Sequence, residues 1–503
     1  MSSDKAVTMP RSLRAVLAAV ALVAPLVLAA CGTRVPRAEV IAGAGGGPVT
    51  IGGGGVVAGP ATGAPSAAAP GAVIPTAAGS TAAAPGGAVA PVGGGPTVSV
   101  PGVTTPASAQ PTTGPAAPSG GVPATSSRAN TPGQPCTKQG STIVFGQVGT
   151  FSGIIGASIG AAQPVLKAWA QATNAAGGIA CHPVQVISID DAGDAGKAQS
   201  AVQSLIQSSH AVAINAFVPV TFNGIRSTID DTKVPVVGGD ITADEWNQDP
   251  NFFPEGTSFE SAIFAFMKYA AQSGGHKFSY LQCIEATPCS VARKWIEKNA
   301  AAAGLQEGGV QPISLAGSNF TQQCQTAKNQ GDDVMFVGAG ATANTAVARD
   351  CANQNYHPIF ATIGLGANNA LEDDPNEAGL TLGLPTFPWM LGSTPAEAAY
   401  QAALQRYAPN IVTSGGGAQG WTSGELLKKA ILNLGQAAYG TITPAMIVQG
   451  LHMMKNETLG GLAPNGLTFP DGQPATPVKC SFIAQIKGGK WSAPLGNNQV
   501  CGP

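Results

Sequence analysis

Residues 142–148 read TIVFGQV, 184–190 read VQVISID and 211–217 read AVAINAF. Each is a short run of β-branched and apolar residues of strand length, and the segments between them, 160–175 and 197–208, carry the spacing of amphipathic helices. Strands apolar on both faces and joined by helical crossovers point to a parallel sheet covered by helices.

The rhythm continues outward. A helix is expected near 224–232, a strand at 234–237 and a helix at 261–272. Strands at 278–283, 310–312, 334–337 and 359–362 then alternate with helices at 291–303, 320–329 and 344–353. More than one domain's worth of βα units follows residue 136, so two α/β lobes are expected.

Upstream of residue 136 the texture differs. Lys5, Arg11 and Arg14 precede an apolar run from Ala15 to Ala30 interrupted by Pro25. That run is short for a bilayer span and has the length of a signal-peptide core. It ends in Leu28-Ala29-Ala30-Cys31-Gly32, which resembles the bacterial lipobox, so residues 1–30 are expected to be removed and Cys31 to carry lipid. The competing reading is an ordinary signal peptide or anchor with an incidental cysteine. Residues 32–135 hold no aromatic residue and only Arg34, Arg37, Glu39 and Arg128 as charges. Such a segment buries too little apolar surface to offset its ordering entropy, and 31–135 reads as a lipidated cysteine followed by a disordered tether.

Removing Cys31 from the nine cysteines leaves eight, all after residue 135: Cys136, Cys181, Cys283, Cys289, Cys324, Cys351, Cys480 and Cys501. An even set suits an oxidising compartment, and pairing of neighbours gives the closures 136–181, 283–289, 324–351 and 480–501. From Cys136 onward 19 Lys or Arg stand against 25 Asp or Glu, a net of −6 without a basic cluster. No nucleic-acid partner is expected. The five histidines, at 182, 210, 276, 357 and 452, show no ligand spacing, and neither metal nor cofactor is predicted.

Two motifs invite other readings. Gly156-Ala157-Ser158-Ile159-Gly160 fits G-x-S-x-G, the hydrolase nucleophile elbow, but Gly149 to Ile155 separate it from the preceding strand. A serine capping a helix fits better. Gly338-Ala339-Gly340-Ala341-Thr342-Ala343 fits a dinucleotide turn, but the following strand, 358–362, lacks the acid that would hold a ribose. Its small residues suit a backbone loop approaching a ligand in a cleft. Asp190-Asp191 ends a strand and is read as a solvated loop start in preference to a cation site.

Asn174-Ala175-Ala176-Gly177-Gly178-Ile179, followed by Asp190-Asp191 and Ala198-Gln199, resembles the branched-chain amino-acid binding-protein family, the type I periplasmic binding proteins of ABC transporters. Gly149-Thr150-Phe151-Ser152-Gly153 resembles that family's first binding loop. The likeness runs on through a helix around 421–434 and a strand and turn at 482–491. It implies two Rossmann-like lobes with a ligand cleft, one built from 141–258 plus 366–455 and the other from 259–365 plus 456–503. The implied function is extracytoplasmic capture of an amino acid, amide or small carboxylate and its delivery to an ABC permease by hinge closure, without chemistry. The place implied is the outer face of a bacterial cell membrane, through the lipid at Cys31.

The resemblance places Ser152, Gly153 and Thr221 on lobe-one ligand loops, with Asp240, Ile241 and Thr242 on a third. Thr287 stands where the family often has a tyrosine, and Gly340 lies on a lobe-two loop. Ala343 falls where amino-acid binders place an acid for the ligand ammonium, so Asp240 or Glu285 must supply that charge or the ligand is not an α-amino acid. A sensor that passes its closed state to a receptor and a hydrolase using Ser158 are the rival readings, with a scaffold that has lost its ligand as a third.

Overall fold

The computed structural model describes Asn130 and residues 136–363 and 368–502. The signal segment, Cys31 and, Asn130 excepted, the expected tether lie outside the described residues. Two α/β layers are built by the alternation seen in the sequence.

The first sheet is wholly parallel, in the order β2-β1-β3-β4-β5, from β1 (Ile143–Gly149), β2 (Val184–Asp190), β3 (Ala213–Phe217), β4 (Val236–Gly239) and β5 (Phe252–Phe253). Helices α1 (Gly153–Ile159), α2 (Ala162–Ala175), α3 (Ala195–Gln207) and α4 (Phe222–Thr232) connect its strands. Asp194 begins α3 by accepting the Lys197 N–H at 2.8 Å. Phe145 of β1 meets Trp169 of α2 edge-on, and both are fully buried. Burial of one such side chain contributes on the order of 1.5–3 kcal/mol.

After α5 (Phe259–Gln272), β6 (Lys277–Cys283), α6 (Thr287–Ala303), β7 (Gln306–Ile313), α7 (Thr321–Gln330), β8 (Val334–Gly338), α8 (Ala341–Ala352), β9 (Ile359–Ile363) and β10 (Thr381–Leu384) form the second layer. Its parallel part, β7-β6-β8-β9-β10, repeats the strand order of the first sheet. Each sheet therefore has a switch point beside its first strand, between β1 and β3 and between β6 and β8.

The chain then adds α9 (Pro395–Tyr407), α10 (Gly415–Asn433) and α11 (Pro444–His452) to the first lobe, and β11 (Cys480–Ile486), β12 (Trp491–Ser492) and β13 (Val500–Cys501) to the second sheet. Thr394 and Glu397 form a reciprocal capping box at the start of α9. Helix α10 begins six residues before its expected start because its glycines are packing residues. A Cβ at Gly424 would stand 2.3 Å from the Trp169 ring, and one at Gly420 would stand 2.8 Å from the Ala162 carbonyl oxygen. Close approach of α2 and α10 needs both positions bare.

The expected lobe boundaries require two corrections. The chain does not return to lobe one at 366, because β10 pairs with β9 and β11 in the second sheet. Nor does it leave lobe one at 456: Glu457 is 2.9 Å from Lys429 of α10, and Phe469 packs edge-on against Phe253 of β5. The three crossings instead lie side by side. Thr257 donates its N–H to the Pro385 carbonyl at 3.0 Å and its hydroxyl to the Val478 carbonyl at 3.0 Å.

All four disulfides join sequence neighbours as expected. Cys136–Cys181 ties the entry of the folded region down, Cys324–Cys351 joins α7 to α8, and Cys480–Cys501 joins β11 to β13. Cys283–Cys289 closes the turn between β6 and α6. Among the described residues no helix is long and apolar enough to cross a membrane, and no cluster of His, Cys, Asp and Glu has the arrangement of a metal site.

Candidate functional site

The carboxyl ends of both sheets face one cavity. Lobe one supplies Ile155, Ser158 and Ile159 from α1, Pro219 and Val220 from the loop after β3, and Asp240 and Thr242 from the loop after β4. Lobe two supplies the ends of β6 and β8, the Cys283–Cys289 turn and the 338–340 loop. The volume is about 120 Å³.

Backbone geometry brings Asp240 to this place. Gly239 has φ of 154°, and a Cβ there would overlap the Ala216 carbonyl oxygen, 1.9 Å away, so only glycine lets β4 end against β3. Asp240 then donates its N–H to that same carbonyl at 2.8 Å. Its side chain accepts from the Thr242 N–H at 3.1 Å and the Thr242 hydroxyl at 2.8 Å. Burial pushes its carboxyl up to about 6 against the pull of those two bonds. Behind it, Glu255 in the first crossing accepts from Gly239 N–H and from Gln419 Nε2 of α10, and burial raises it to about 8. Gln419 also donates to the Gly239 carbonyl, so one side chain of α10 braces both the crossing and the end of β4.

Four expected lobe-one residues lie off the cavity. Thr221 donates its hydroxyl to Asp191 at 2.6 Å, and Thr150 donates to the same fully buried carboxylate at 2.7 Å. Asp191 thus ties together the loops after β1, β2 and β3. It is a buried brace and not a solvated loop start. Ser152 is exposed and donates to Asp190. Burial raises the Asp190 carboxyl, but the bonds from Ser152 and from the N–H groups of Ala192, Phe151 and Ser152 hold it below the usual carboxylate range. Gly153 is exposed and opens α1, and Ile241 is buried in the lobe-one core. None of Ser152, Gly153, Thr221 and Ile241 lines the cavity, whereas Asp240 and Thr242 do.

In lobe two Gly340 lines the cavity and Thr287 does not. Thr287 is the exposed first residue of α6. The disulfide beside it forms the wall. Glu285 accepts from the Ser314 hydroxyl and the Leu315 N–H on the surface, so of the two acids weighed for a ligand ammonium only Asp240 faces the cleft. The lobe-two lining residues not foreseen include the rings of Phe259, Tyr280 and Phe336, beside small and aliphatic side chains such as Ala292 and Leu315. Tyr280 and Phe336 stack with centroids 5.0 Å apart, and the Tyr280 hydroxyl donates to the Cys289 carbonyl at 2.9 Å. Both lie mid-strand, Tyr280 in β6 and Phe336 in β8, so no strand-end position marked them as wall residues.

Ser158 sits inside α1, not on a strand-to-helix elbow, and its hydroxyl has no hydrogen-bond partner among the described residues. The geometry of a hydrolase nucleophile is missing. The 338–343 segment does follow a strand and open a helix, but in a cavity walled by rings and a disulfide.

Two sheets whose parallel strands share one order, three adjacent crossings and a cavity between their carboxyl ends agree with the family whose model, described as periplasmic binding protein, matches residues 142–490. The chain belongs to the periplasmic binding protein family. Within that fold it is similar to a solute-binding protein of an ABC transporter from R. palustris, solved in complex with benzoate. That match has 16% identity over 72% of this chain and 98% of the other, with a TM-score of 0.59. It is also similar to a fatty acid ABC transporter substrate-binding protein from Thermomonospora curvata, with 14% identity, coverage of 73% and 95% and a TM-score of 0.61. A leucine binding protein from Thermotoga maritima matches with 13% identity, coverage of 70% and 97% and a TM-score of 0.58. At these identities the likeness is one of fold. Comparison with curated protein sequences finds no match.

Proposed function

We propose that this chain is an extracytoplasmic lipoprotein that captures a small organic solute between its lobes and hands it to an ABC permease by hinge closure. The observation that carries this reading is the cavity lined from the carboxyl ends of both sheets, with all three crossings on one side as a hinge. Its volume, about 120 Å³, is near that of an engineered cavity of about 150 Å³ that takes up benzene. One ring or a branched chain of similar size fits. An amino acid, amide or small carboxylate remains the candidate class, and solved relatives of the same fold are described with benzoate, 3,4-dihydroxy benzoic acid, fatty acid and leucine. The lipobox at Cys31 supports tethering at the outer face of the membrane.

A thermal-shift screen of the purified protein against amino acids, amides, aromatic acids and polyols tests capture. A true ligand at a hundred times its dissociation constant adds about 2.7 kcal/mol. Silence across the whole screen would count against solute binding. For tethering, Cys31→Ala is expected to release the protein into the medium, and retention in the membrane fraction would show that the apolar run itself is the anchor.

A further inference from the structure

The walls of the cavity are mostly apolar. Ile155, Ile159, Val220, Leu315 and the rings of Tyr280 and Phe336 supply its walls. Two of the lining hydroxyls are engaged with protein carbonyls: Tyr280 donates to Cys289, and Thr362 donates to the Val337 carbonyl at 3.3 Å. Among the described residues no Lys, Arg or His lines the space, and Asp240 is the one carboxylate that does. Asp240 is 3% exposed. Each of its oxygens accepts a single bond from Thr242, which leaves lone pairs on both. The O–H of Thr242 is spent on Asp240, so this corner accepts hydrogen bonds and offers none in return. The Ser158 hydroxyl, on the same lobe, is uncommitted and can orient either way.

We propose that the cleft takes a compact apolar ligand ending in N–H donors, an amine or primary amide, that Asp240 reads that end, and that a carboxylate of the same shape is rejected. This rests on the solute-binding reading above and narrows its ligand class. Bonds from N–H groups to an ionised, buried acceptor are the strong kind, and an amine also supplies the counter-charge that Asp240 lacks. A ligand carboxylate in the same space brings a second anion into a low-dielectric pocket without a cation. The rival is the first turn of α8: its N–H groups, beside Gly340, are a place where a carboxylate end would go if the ligand lay the other way round.

The experiment is calorimetric titration of the purified protein near pH 7.5 with matched amine, primary amide and acid forms of three scaffolds, benzyl, isopentyl and cyclohexylmethyl. The amine or amide is expected to bind about tenfold or more tighter than the acid on at least one scaffold. Asp240→Asn is expected to narrow that gap, and Thr242→Val, which leaves the carboxylate in place, to preserve its sign. Acids binding as well as amines, an unchanged order in Asp240→Asn, or no binding by any of the nine compounds would overturn the proposal. The wild-type comparison stands even where a variant does not fold. A broad solute screen on the same sample separates the two failures. Ligands found there leave solute capture standing while the donor-ended class falls, and no response at all removes capture itself.

Discussion

Gly340 of lobe two faces Ser158 of lobe one so closely that a Cβ at Gly340 would lie 2.2 Å from the serine Oγ and 3.6 Å from its Cβ. The glycine has φ of −73°, which any residue adopts, so its reason for being glycine is contact and not backbone conformation. This is where the two lobes meet over the cavity.

Gly340→Ala is therefore expected to weaken closure. Overpacking of this kind costs about 1–3 kcal/mol, or roughly fivefold to 150-fold in affinity for whichever solute the screen identifies. Removing the Oγ leaves an ordinary methyl contact, so Ser158→Ala in the Gly340→Ala background is expected to restore most of the loss. Ser158→Ala alone is expected to bind almost normally. Titration of the four proteins checks the cycle, and a Gly340→Ala protein that binds like wild type would mean that the bound state does not bring these residues together.

A second contact spans the lobes at the surface. Lys294 of α6 lies 3.0 Å from Asp244 in the loop after β4, with its ammonium 4.1 Å from the Trp295 ring centroid. The lysine is 57% exposed, so the pair contributes only about 0.2–1 kcal/mol. Lys294→Ala is expected to lower solute affinity by no more than about fivefold at low ionic strength, and by nothing measurable in 1 M salt, where the screening length is ~3 Å. An equal loss at both salt concentrations would assign the effect to packing on Trp295.

Glu377 is fully buried, and among the described residues neither of its carboxyl oxygens has a hydrogen-bond partner. Burial, with a smaller contribution from Asp374, pushes it up to about 8. Its unfolded value is near 4.5, so between these values the native state holds more protons than the unfolded state. Stability is greatest below about 4.5 with respect to this group and falls as pH rises through about 8. Glu255 acts in the same direction. Melting temperatures measured from pH 5 to 9 are expected to decline towards high pH more gently in Glu377→Gln than in wild type. The amide breaks no existing bond, and an identical slope in the two proteins would show that Glu377 is not the group responsible.

Much of the architecture was legible because strand runs such as 142–148, 184–190 and 334–337 are apolar on both faces, which parallel sheets require. The return of the chain to lobe one was misplaced because 381–384 (TLGL) is only four residues long. Its strand character comes from pairing with β9 and β11 and not from its own pattern. The site was less legible. Thr221 and Ser152 have the side chains of ligand residues, yet their hydroxyls are captured by Asp191 and Asp190, and no local pattern reveals that competition. Tyr280 and Phe336 read as ordinary core residues, and only the pairing of two strands from different parts of the chain brings them together as a wall. Asp240 was visible from both directions, as an acid placed directly after a Gly-Gly strand end.

The disulfides separate stability from binding. Cys136–Cys181 closes a span of 45 residues away from the cavity, whereas Cys283–Cys289 closes one of 6 and forms part of the wall. Chain entropy assigns the long closure about 4 kcal/mol and the short one about 2 kcal/mol. Replacing the first pair by serines is expected to lower the unfolding midpoint more and to leave solute affinity almost unchanged in the protein that remains folded. Replacing the second pair is expected to have the smaller effect on unfolding but to cost affinity, because the turn that carries Ala286 and Pro288 into the cavity loses its closure. Denaturant unfolding and solute titration on both double variants give the comparison. If the 283–289 variant binds as wild type does, the wall is held by the Tyr280 bond to Cys289 and the packing of α6 alone.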